Sequence, residues 1–398
     1  MTKKSFFLLA LLLAFISVEI KSQSVQLSDS AEVSILTNSP WTGAIYGLFG
    51  HASIRVKDPA RSFDLVFNYG MFSFTKPNFI YHFAKGETDY MVVPIPYRDF
   101  IVEYQMKGIR VDEQVIRLSQ LDKQKIWDAL CINSLPENRE YRYNFFFDNC
   151  ATRLFSVLEK NISGEIILPP SNKNPSFRDL LNEFLEGHDW EQFGINLVIG
   201  SSADRPTTER EKMFLPKYLH QVLSRSFVRH ADGSQTPLVE KEDMLNPRQE
   251  EVNKVATVFS PWTVGFLLLA LAALVSFGQL VAKRATRITR LFDSLLFLIA
   301  GIAGLVITFL MFFSVHPCMS PNWNYLWLHP LHLIAACLFY LKRCSKYVYY
   351  YHFINFAALT VFLLAWSWIP QGLQLSFLPF VATLWMRSTV CTFTSFKK

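Results

Sequence analysis

Cysteine is scarce where a disulfide framework would need it. Of six cysteines, Cys318, Cys337, Cys344 and Cys391 fall in the apolar C-terminal part, which leaves only Cys131 and Cys150 before it. That excludes a small scaffold stapled by several bridges. A Cys131–Cys150 bridge is what an oxidising compartment would allow. Against it, Cys131 sits in a helix-like run, 119–133, beside Trp127 and Leu130, as core cysteines do. No His, Cys, Asp or Glu spacing resembles a metal site, so neither a metal nor another cofactor is expected. A Gly-rich phosphate loop, a Gly-x-Ser-x-Gly turn and any nucleic-acid module are also missing. The net charge of +6 is largely accounted for by basic clusters between apolar segments, so it is no argument for a nucleic-acid partner.

Apolar residues, by contrast, are plentiful. Hydrophobic residues make up 51% and aromatics 15% of 398 residues, with a mean hydropathy of +0.18, high for a soluble chain. Lys3-Lys4 precede an apolar run from Phe6 to Ile16, followed by polar Lys21 to Ser24. This pattern reads as a secretory signal, 1–24, cut between Ser22 and Ser24; an uncleaved anchor would leave the downstream topology the same. No cysteine lies near the cut, so lipidation there is not expected.

From Ser260 onward five apolar segments follow, at 261–282, 291–313, 325–341, 352–369 and 373–392. Lys283, Arg284, Arg287 and Arg290 follow the first, and Lys342, Arg343 and Lys346 follow the third; Lys397-Lys398 end the chain. The alternate connections, Ser314 to Asn324 and Pro370 to Gly372, carry no Lys or Arg. If 25–259 is exported, every basic cluster falls on the cytoplasmic side, as the positive-inside rule requires. The expected organisation is therefore an exported domain, 25–259, and an all-α membrane domain, 260–398, of five transmembrane helices with a cytoplasmic C-terminus.

The exported stretch alternates short strands and helices. Strands are expected at 32–37, 47–56, 63–70, 89–95 and 113–118, and helices at 77–85, 97–107 and 119–133, an α+β pattern. His51, Ser53 and Arg55 share one face of the second strand. A hairpin centred near Pro59–Ala60 sets His51 opposite Asn68, a polar neighbour able to fix the ring's tautomer. Asp64 lies on the same face as Asn68 and would serve in a slipped register. A lone strand histidine also reads as structural. The run 215–227 reads either as a half-buried helix or as one lying on the bilayer surface.

The stretch from Tyr143 to Arg153, YNFFFDNCATR, carries the sharpest chemical signal. An aromatic run leads to an Asp-Asn pair, then Cys150, then a good helix former with Leu154, Phe155, Val157 and Leu158 on one side. With Asp148 or Asn149 as N-cap, Cys150 falls in the first helical turn. The helix dipole and free N–H groups there stabilise a thiolate and can donate to an oxyanion. The bland alternative is a small buried residue opening a core helix. Phe145, Phe146 and Phe147 read either as core or as an acyl groove.

FGHASIRV at 49–56, NYGMFSF at 68–74 and NFFFDNCATR at 144–153 together resemble the DUF4105, or Lnb-type, lipoprotein N-acyltransferase family of Gram-negative bacteria. Asp204 and Met213 to Pro216 resemble its later part, and NWNYLWLHP at 322–330 its membrane tail. The order, histidine first and cysteine last, is similar to circularly permuted NlpC/P60 or lecithin:retinol acyltransferase arrangements, which implies an α+β papain-like exported domain. The resemblance implies Cys150 as nucleophile, His51 as base and Asn68 as the third member, where a second histidine is more usual. It implies transfer of an acyl chain from a phospholipid donor to the α-amine of a diacylated lipoprotein acceptor, at the inner membrane with the catalytic domain in the periplasm. Tyr143, Asn144 and Asn149 flank the thiol as candidate substrate-binding residues. His316, Asn322 and Asn324, with His329 and His332, gather at the exported edge of the third segment, as headgroup or acceptor ligands or as helix-packing residues. A papain-like peptidase or amidase of cell-wall peptides and a non-catalytic membrane scaffold are the competing readings.

Overall fold

The computed structural model describes residues 25–75, 77–171, 174–247 and 259–395; the expected signal segment 1–24 and the Lys397-Lys398 cluster lie outside them. In chain order the sheet-rich part holds β1 (Glu32–Asn38), β2 (His51–Asp58), β3 (Phe63–Met71), α1 (Phe79–Lys85), β4 (Asp89–Pro96) and α2 (Tyr97–Met106). Then come β5 (Val111–Ile116), α3 (Gln120–Asn133), β6 (Glu140–Arg142), α4 (Cys150–Asn161), β7 (Glu165–Ile167), α5 (Phe177–Phe184) and α6 (Asp189–Val198). It closes with α7 (Pro216–Leu223), β8 (Phe227–Arg229), β9 (Gln235–Pro237) and β10 (Val239–Asn246). The large sheet is antiparallel throughout, in the order β10-β5-β1-β2-β3-β4-β6.

Two-residue alternation sorts the strand side chains. Val33, Ile35, Ala52, Ile54, Val56, Phe67 and Tyr69 face α3 and α4, where they meet Ile126, Leu130, Ala151, Leu154, Phe155 and Leu158. Burying a side chain such as Ile54 or Leu154 fully is worth about 1.5–3 kcal/mol. On the opposite face Leu36, Val66 and Val111 pack under Phe100 of α2. The same face buries Arg55 between Asp64, at 2.7 and 2.5 Å, and Glu113, at 3.0 Å, with Tyr97 stacked on the guanidinium.

The expected elements stand close to their observed bounds, with one shift at the site. The strand expected from Gly47 starts at His51, because Ile45–Phe49 forms a 3-10 turn. Gly50 ends that turn at φ 75°, where a Cβ would stand 2.6 Å from the carbonyl of Asn38. The run 215–227 resolves as α7 plus β8; α7 buries Leu219, Val222 and Leu223 in the main core, as a half-buried helix does.

The C-terminal part is helical: α8 (Pro261–Ala282), α9 (Arg287–Phe312), α10 (Leu331–Leu338), α11 (Ser345–Leu364) and α12 (Leu378–Ser395). Among the described residues three helices, α8, α9 and α11, are long and apolar enough to cross a membrane. The third expected segment is broken instead: a 3-10 turn at Trp323–Leu326, then Pro330, then only eight residues of α10. α10 lies so close to α9 that a Cβ on Gly301 would come 2.7 Å from the Leu333 nitrogen, and one on Gly304 2.5 Å from that of His329. The fifth segment, α12, has 18 residues and buries Arg387, bonded to Asp293, Ser276 and Gln279 at 2.6–2.9 Å.

The two parts meet along a polar seam. Helix α6 ends with carbonyls that have no partner inside the helix. Asn322 donates to Leu197 O and Val198 O at 2.9 and 3.1 Å, Asn324 to Leu197 O at 3.1 Å, and Gln371 to Ile199 O at 3.3 Å. The backbone N–H groups of Gly200 and Ser201 donate to Cys318 O and Pro321 O, both at 2.7 Å. Arg178 closes the seam from the other side, on Asp204, Asn196 and Gly200 O at 2.6–2.9 Å. Asn324 also accepts from the Trp327 indole at 3.0 Å. Replacing Asn324 with Ala leaves buried groups unpaired at about 1–3 kcal/mol each. The Asn324→Ala protein in detergent should therefore be cleaved severalfold faster by trypsin after Arg210, the Arg205–Pro206 bond being resistant. An unchanged rate would mean that the seam does not hold this segment.

Candidate thiol active site

Cys150 opens α4. Asn149 is its N-cap, accepting from Thr152 N at 3.0 Å, while Thr152 Oγ1 accepts from Asn149 N at 2.8 Å. This reciprocal cap fixes the first turn and leaves its remaining N–H groups facing forward. Two further bonds, from Asn149 Nδ2 to Phe145 O at 2.8 Å and to Phe214 O at 2.7 Å, hold the cap from behind.

His51 begins β2, and its Nε2 meets Asn68 Oδ1 at 2.5 Å. The expected pairing is corrected here. The β2–β3 ladder runs from Ile54↔Phe67 to Asp58↔Phe63. Continued, it sets Ser53 opposite Asn68 and Gly70 opposite His51. The His51–Asn68 contact is therefore a diagonal one, within reach of side chains two residues out of register. Asp64 is committed to Arg55 and does not orient the ring. Helix α4 packs on the other face of the sheet, and Cys150 reaches the imidazole past Gly70. That residue has φ 88°, which favours glycine, and a Cβ there would lie 3.6 Å from Cys150 Cβ and 3.9 Å from His51 Cε1. A register shift between Asn68 and Met71 marks a bulge at the same point.

With Nε2 on Asn68, the other ring nitrogen is left for the thiol, which is hydrogen-bonded to His51. Burial alone would push the Cys150 thiol up. The His51 charge, the bond to His51 and the N–H groups of Ala52 and Ala151 outweigh burial and hold the thiol below its ordinary value of 9.0. Burial likewise opposes a charged His51, but Cys150, then Asn68 and Glu103, raise it above 6.5. The opposite shifts both favour a thiolate–imidazolium pair. Cys131 makes the contrast. It carries no disulfide, and burial, then Asp128, push it up to about 11.

Of the flanking candidates, Tyr143 is near the thiol. It stacks on Tyr90 at 4.0 Å, and burial first, then the charge of Cys150, keep its phenol protonated well above the ordinary value. Asn144 spends its side chain on the N–H groups of Phe146 and Phe147, at 3.2 and 3.1 Å, and Asn149 is the cap. Asn322 and Asn324 are buried in the seam, and His316 bonds Phe83 O at 2.7 Å; none of the three is brought to the thiol. Phe146 is core, packed on Phe177 and Phe214. The Ala151 N–H is one of the first-turn donors expected from the sequence, whereas that of Ala52, on β2 beside His51, has no signature in residue type.

A sheet-rich domain that pairs a cysteine with a histidine, joined to helices able to cross a bilayer, defines the class: a membrane protein with a thiol site in its extramembrane domain. The chain belongs to the Lnb family. A family model described as the Lnb N-terminal periplasmic domain matches residues 19–182, and one described as the Lnb transmembrane domain matches 252–398. The extramembrane domain is accordingly periplasmic, and Cys150, His51 and Asn68 all lie within the first match. No curated protein and no solved structure matches the chain.

His51 is the largest of the influences that hold the Cys150 thiol below 9.0. Iodoacetamide alkylation of Cys150 should therefore titrate with an inflection below 9.0 in the wild type. In His51→Ala, burial acts unopposed by the imidazolium and the inflection should move up, with about tenfold less thiolate at pH 7 for each unit. Overlapping profiles for the two proteins would remove the ion pair from the argument.

Proposed function

We propose that the protein is a lipoprotein N-acyltransferase that works through a Cys150 thioester. The observation that carries this reading is a histidine-paired, low-pKa thiol at a helix N-terminus, in a domain joined by a buried polar seam to membrane-type helices. A free peptidase has no use for that attachment. An enzyme whose donor and acceptor both reside in the bilayer does.

His51 takes the proton of Cys150, and the sulfur attacks the ester carbonyl of a glycerophospholipid. The N–H groups of Ala52 and Ala151 lie at the sulfur and are positioned to receive the developing oxyanion. The C–O bond to glycerol breaks, and His51 returns its proton to the departing lysophospholipid oxygen, which leaves a thioester. The α-amine of a diacylglyceryl-cysteine lipoprotein then attacks that carbonyl. His51 accepts the amine proton, the C–S bond breaks, and the products are an amide and the restored thiol. Asn68 keeps the ring in the tautomer and orientation both steps need. In this reading all five C-terminal segments cross the inner membrane, the exported domain follows a cleaved 1–24 signal, and the C-terminus is cytoplasmic.

Membranes carrying wild type, Cys150→Ser or His51→Ala, incubated with acyl-labelled phospholipid, test the mechanism. A hydroxylamine-labile acyl group is expected on the wild-type peptide spanning Cys150. It should be absent from Cys150→Ser and reduced at least a hundredfold in rate for His51→Ala, within the usual range for a lost general base, about 10²–10⁴. A bare Cys150 in well-folded wild type would end the phospholipid mechanism and promote the peptidase or scaffold readings.

A further inference from the structure

One group of exposed apolar side chains on the periplasmic part lies on and beside α1. Phe74, Ile80, Tyr81 and Phe83 are exposed, Ile80 to 82%, while Phe72 and Phe79 behind them are half-buried. A contiguous patch of this kind marks a contact with something apolar. Its outer edge touches the membrane part. Tyr81 meets Phe309 near the end of α9, with ring centroids 6.1 Å apart, and Val315 N donates to Lys85 O at 2.8 Å. The end of α1 fits closely there, since a Cβ on Gly86 would stand 2.9 Å from the His316 nitrogen. So α1 rests at the exported end of an apolar helix, where a bilayer surface would lie.

From that edge the rings run inward without a break. His316 contacts Phe83 at 6.1 Å, Phe83 contacts Phe79 at 5.8 Å, and Phe79 stacks on Phe72 at 6.0 Å. Phe72 meets Tyr90 at 4.8 Å, and Tyr90 stacks on Tyr143 at 4.0 Å. Exposure falls along the row until Tyr90, which is buried. Phe72 and Tyr143 pack on the same core cluster that holds Tyr90 and Cys150, and Gly70, two residues before Phe72, abuts Cys150 Cβ. One end of the row is therefore at the membrane surface and the other at the thiol.

We propose that this row, Phe83, Phe79, Phe72, Tyr90 and Tyr143, is the path along which the hydrocarbon chain of a membrane lipid lies while its carbonyl meets Cys150. The proposal rests on the acyl-transfer reading for its chemistry, and on the ring contacts alone for its route. A long apolar chain leaving the bilayer loses about 0.8 kcal/mol per CH₂ if it enters water. A continuous apolar surface removes that loss and keeps water from the thioester. The row, rather than the Phe145 to Phe147 run, whose middle ring is core, then supplies the hydrocarbon contact.

Full-length Cys150→Ser protein in phosphatidylethanolamine vesicles, doped with a phospholipid carrying a terminal diazirine on one acyl chain, tests the route directly. Photolabel is expected on the peptides holding Phe72, Phe79 and Tyr90 as well as on α8, α9 and α11. Label confined to the long helices and α1, with none on Phe72 or Tyr90, would overturn the path. In parallel, Phe79→Ser in an otherwise wild-type chain should lower the rate of long-chain acylation of Cys150 at least tenfold, with iodoacetamide alkylation of Cys150 reporting that the site is still folded. Undiminished acylation in Phe79→Ser would overturn the path and leave the thioester mechanism standing. If the wild type itself takes up no acyl group, the mechanism fails, and the photolabel still decides the path.

Discussion

The side chain of Asn149 is the point on which the site turns. Its oxygen caps α4, and both of its amide hydrogens are used, one on Phe145 O and one on Phe214 O. One amide thus ties together the aromatic turn before the helix, the helix start, and the segment that leads into α7. An aspartate would cap as well but has no hydrogen to donate, so both carbonyls would be left without their partner. Around the cap the turn closes on itself, with Asn144 and Asp148 exchanging backbone bonds at 3.0 and 2.9 Å and Arg153 gripping Asp148 at 2.7 Å. The thiol's position relative to His51 follows from this ring of bonds. Cys150 contributes reactivity, and its neighbours contribute aim.

A second constraint sets where that site stands relative to the lipid. The seam uses hydrogen bonds to helix-terminal carbonyls, and such bonds are directional in a way that apolar packing is not. Asn322, Asn324 and Gln371 therefore fix α6 in one register against the membrane part. The α1 foot, with Val315 on Lys85 and His316 on Phe83, makes a second attachment far away in sequence. Two attachments on different elements resist the rocking that one would permit. Of the polar residues expected at the third segment's edge, Asn322, Asn324 and His316 thus have a structural job.

Much of this was legible in the residues. The residues mark a strand at 32–37 and, by alternation, one at 47–56 with two faces, and the Asp-Asn-Cys sequence before a helix former places the thiol in a first turn. What was not legible depends on groups without a sequence signature. The 3-10 turn before His51 rests on Gly50 passing close to Asn38 O, a contact between segments. The diagonal pairing of His51 with Asn68 follows from a hairpin centre one residue away from the symmetric one; that moves each partner by two residues and keeps it on the same face, so period-2 patterning cannot resolve it. The split third segment has no signature in hydropathy, which averages over Pro330 and the polar side chains turned toward protein. Asn322 and Asn324 stand out in the sequence as a cluster, but the carbonyls they serve lie more than a hundred residues upstream.

The neutral third member of the site has a chemical consequence. Asn68 orients His51 without adding charge, while the one carboxylate on that face of β3, Asp64, is neutralised by Arg55. A carboxylate in place of Asn68 would stabilise the imidazolium further and raise its pKa. The ring would then hold its proton more tightly. In the proposed cycle His51 must give that proton up to a leaving glycerol oxygen, and a base that is too strong is a poor acid in the return step. An amide keeps the tautomer and leaves the thiolate as the main influence on the strength of the base. Once the thioester forms, the negative charge beside the ring is gone and burial dominates, which lowers the imidazole's affinity for its proton at the stage when the proton has to leave. The same neutral ring is then the form needed to accept a proton from the incoming amine.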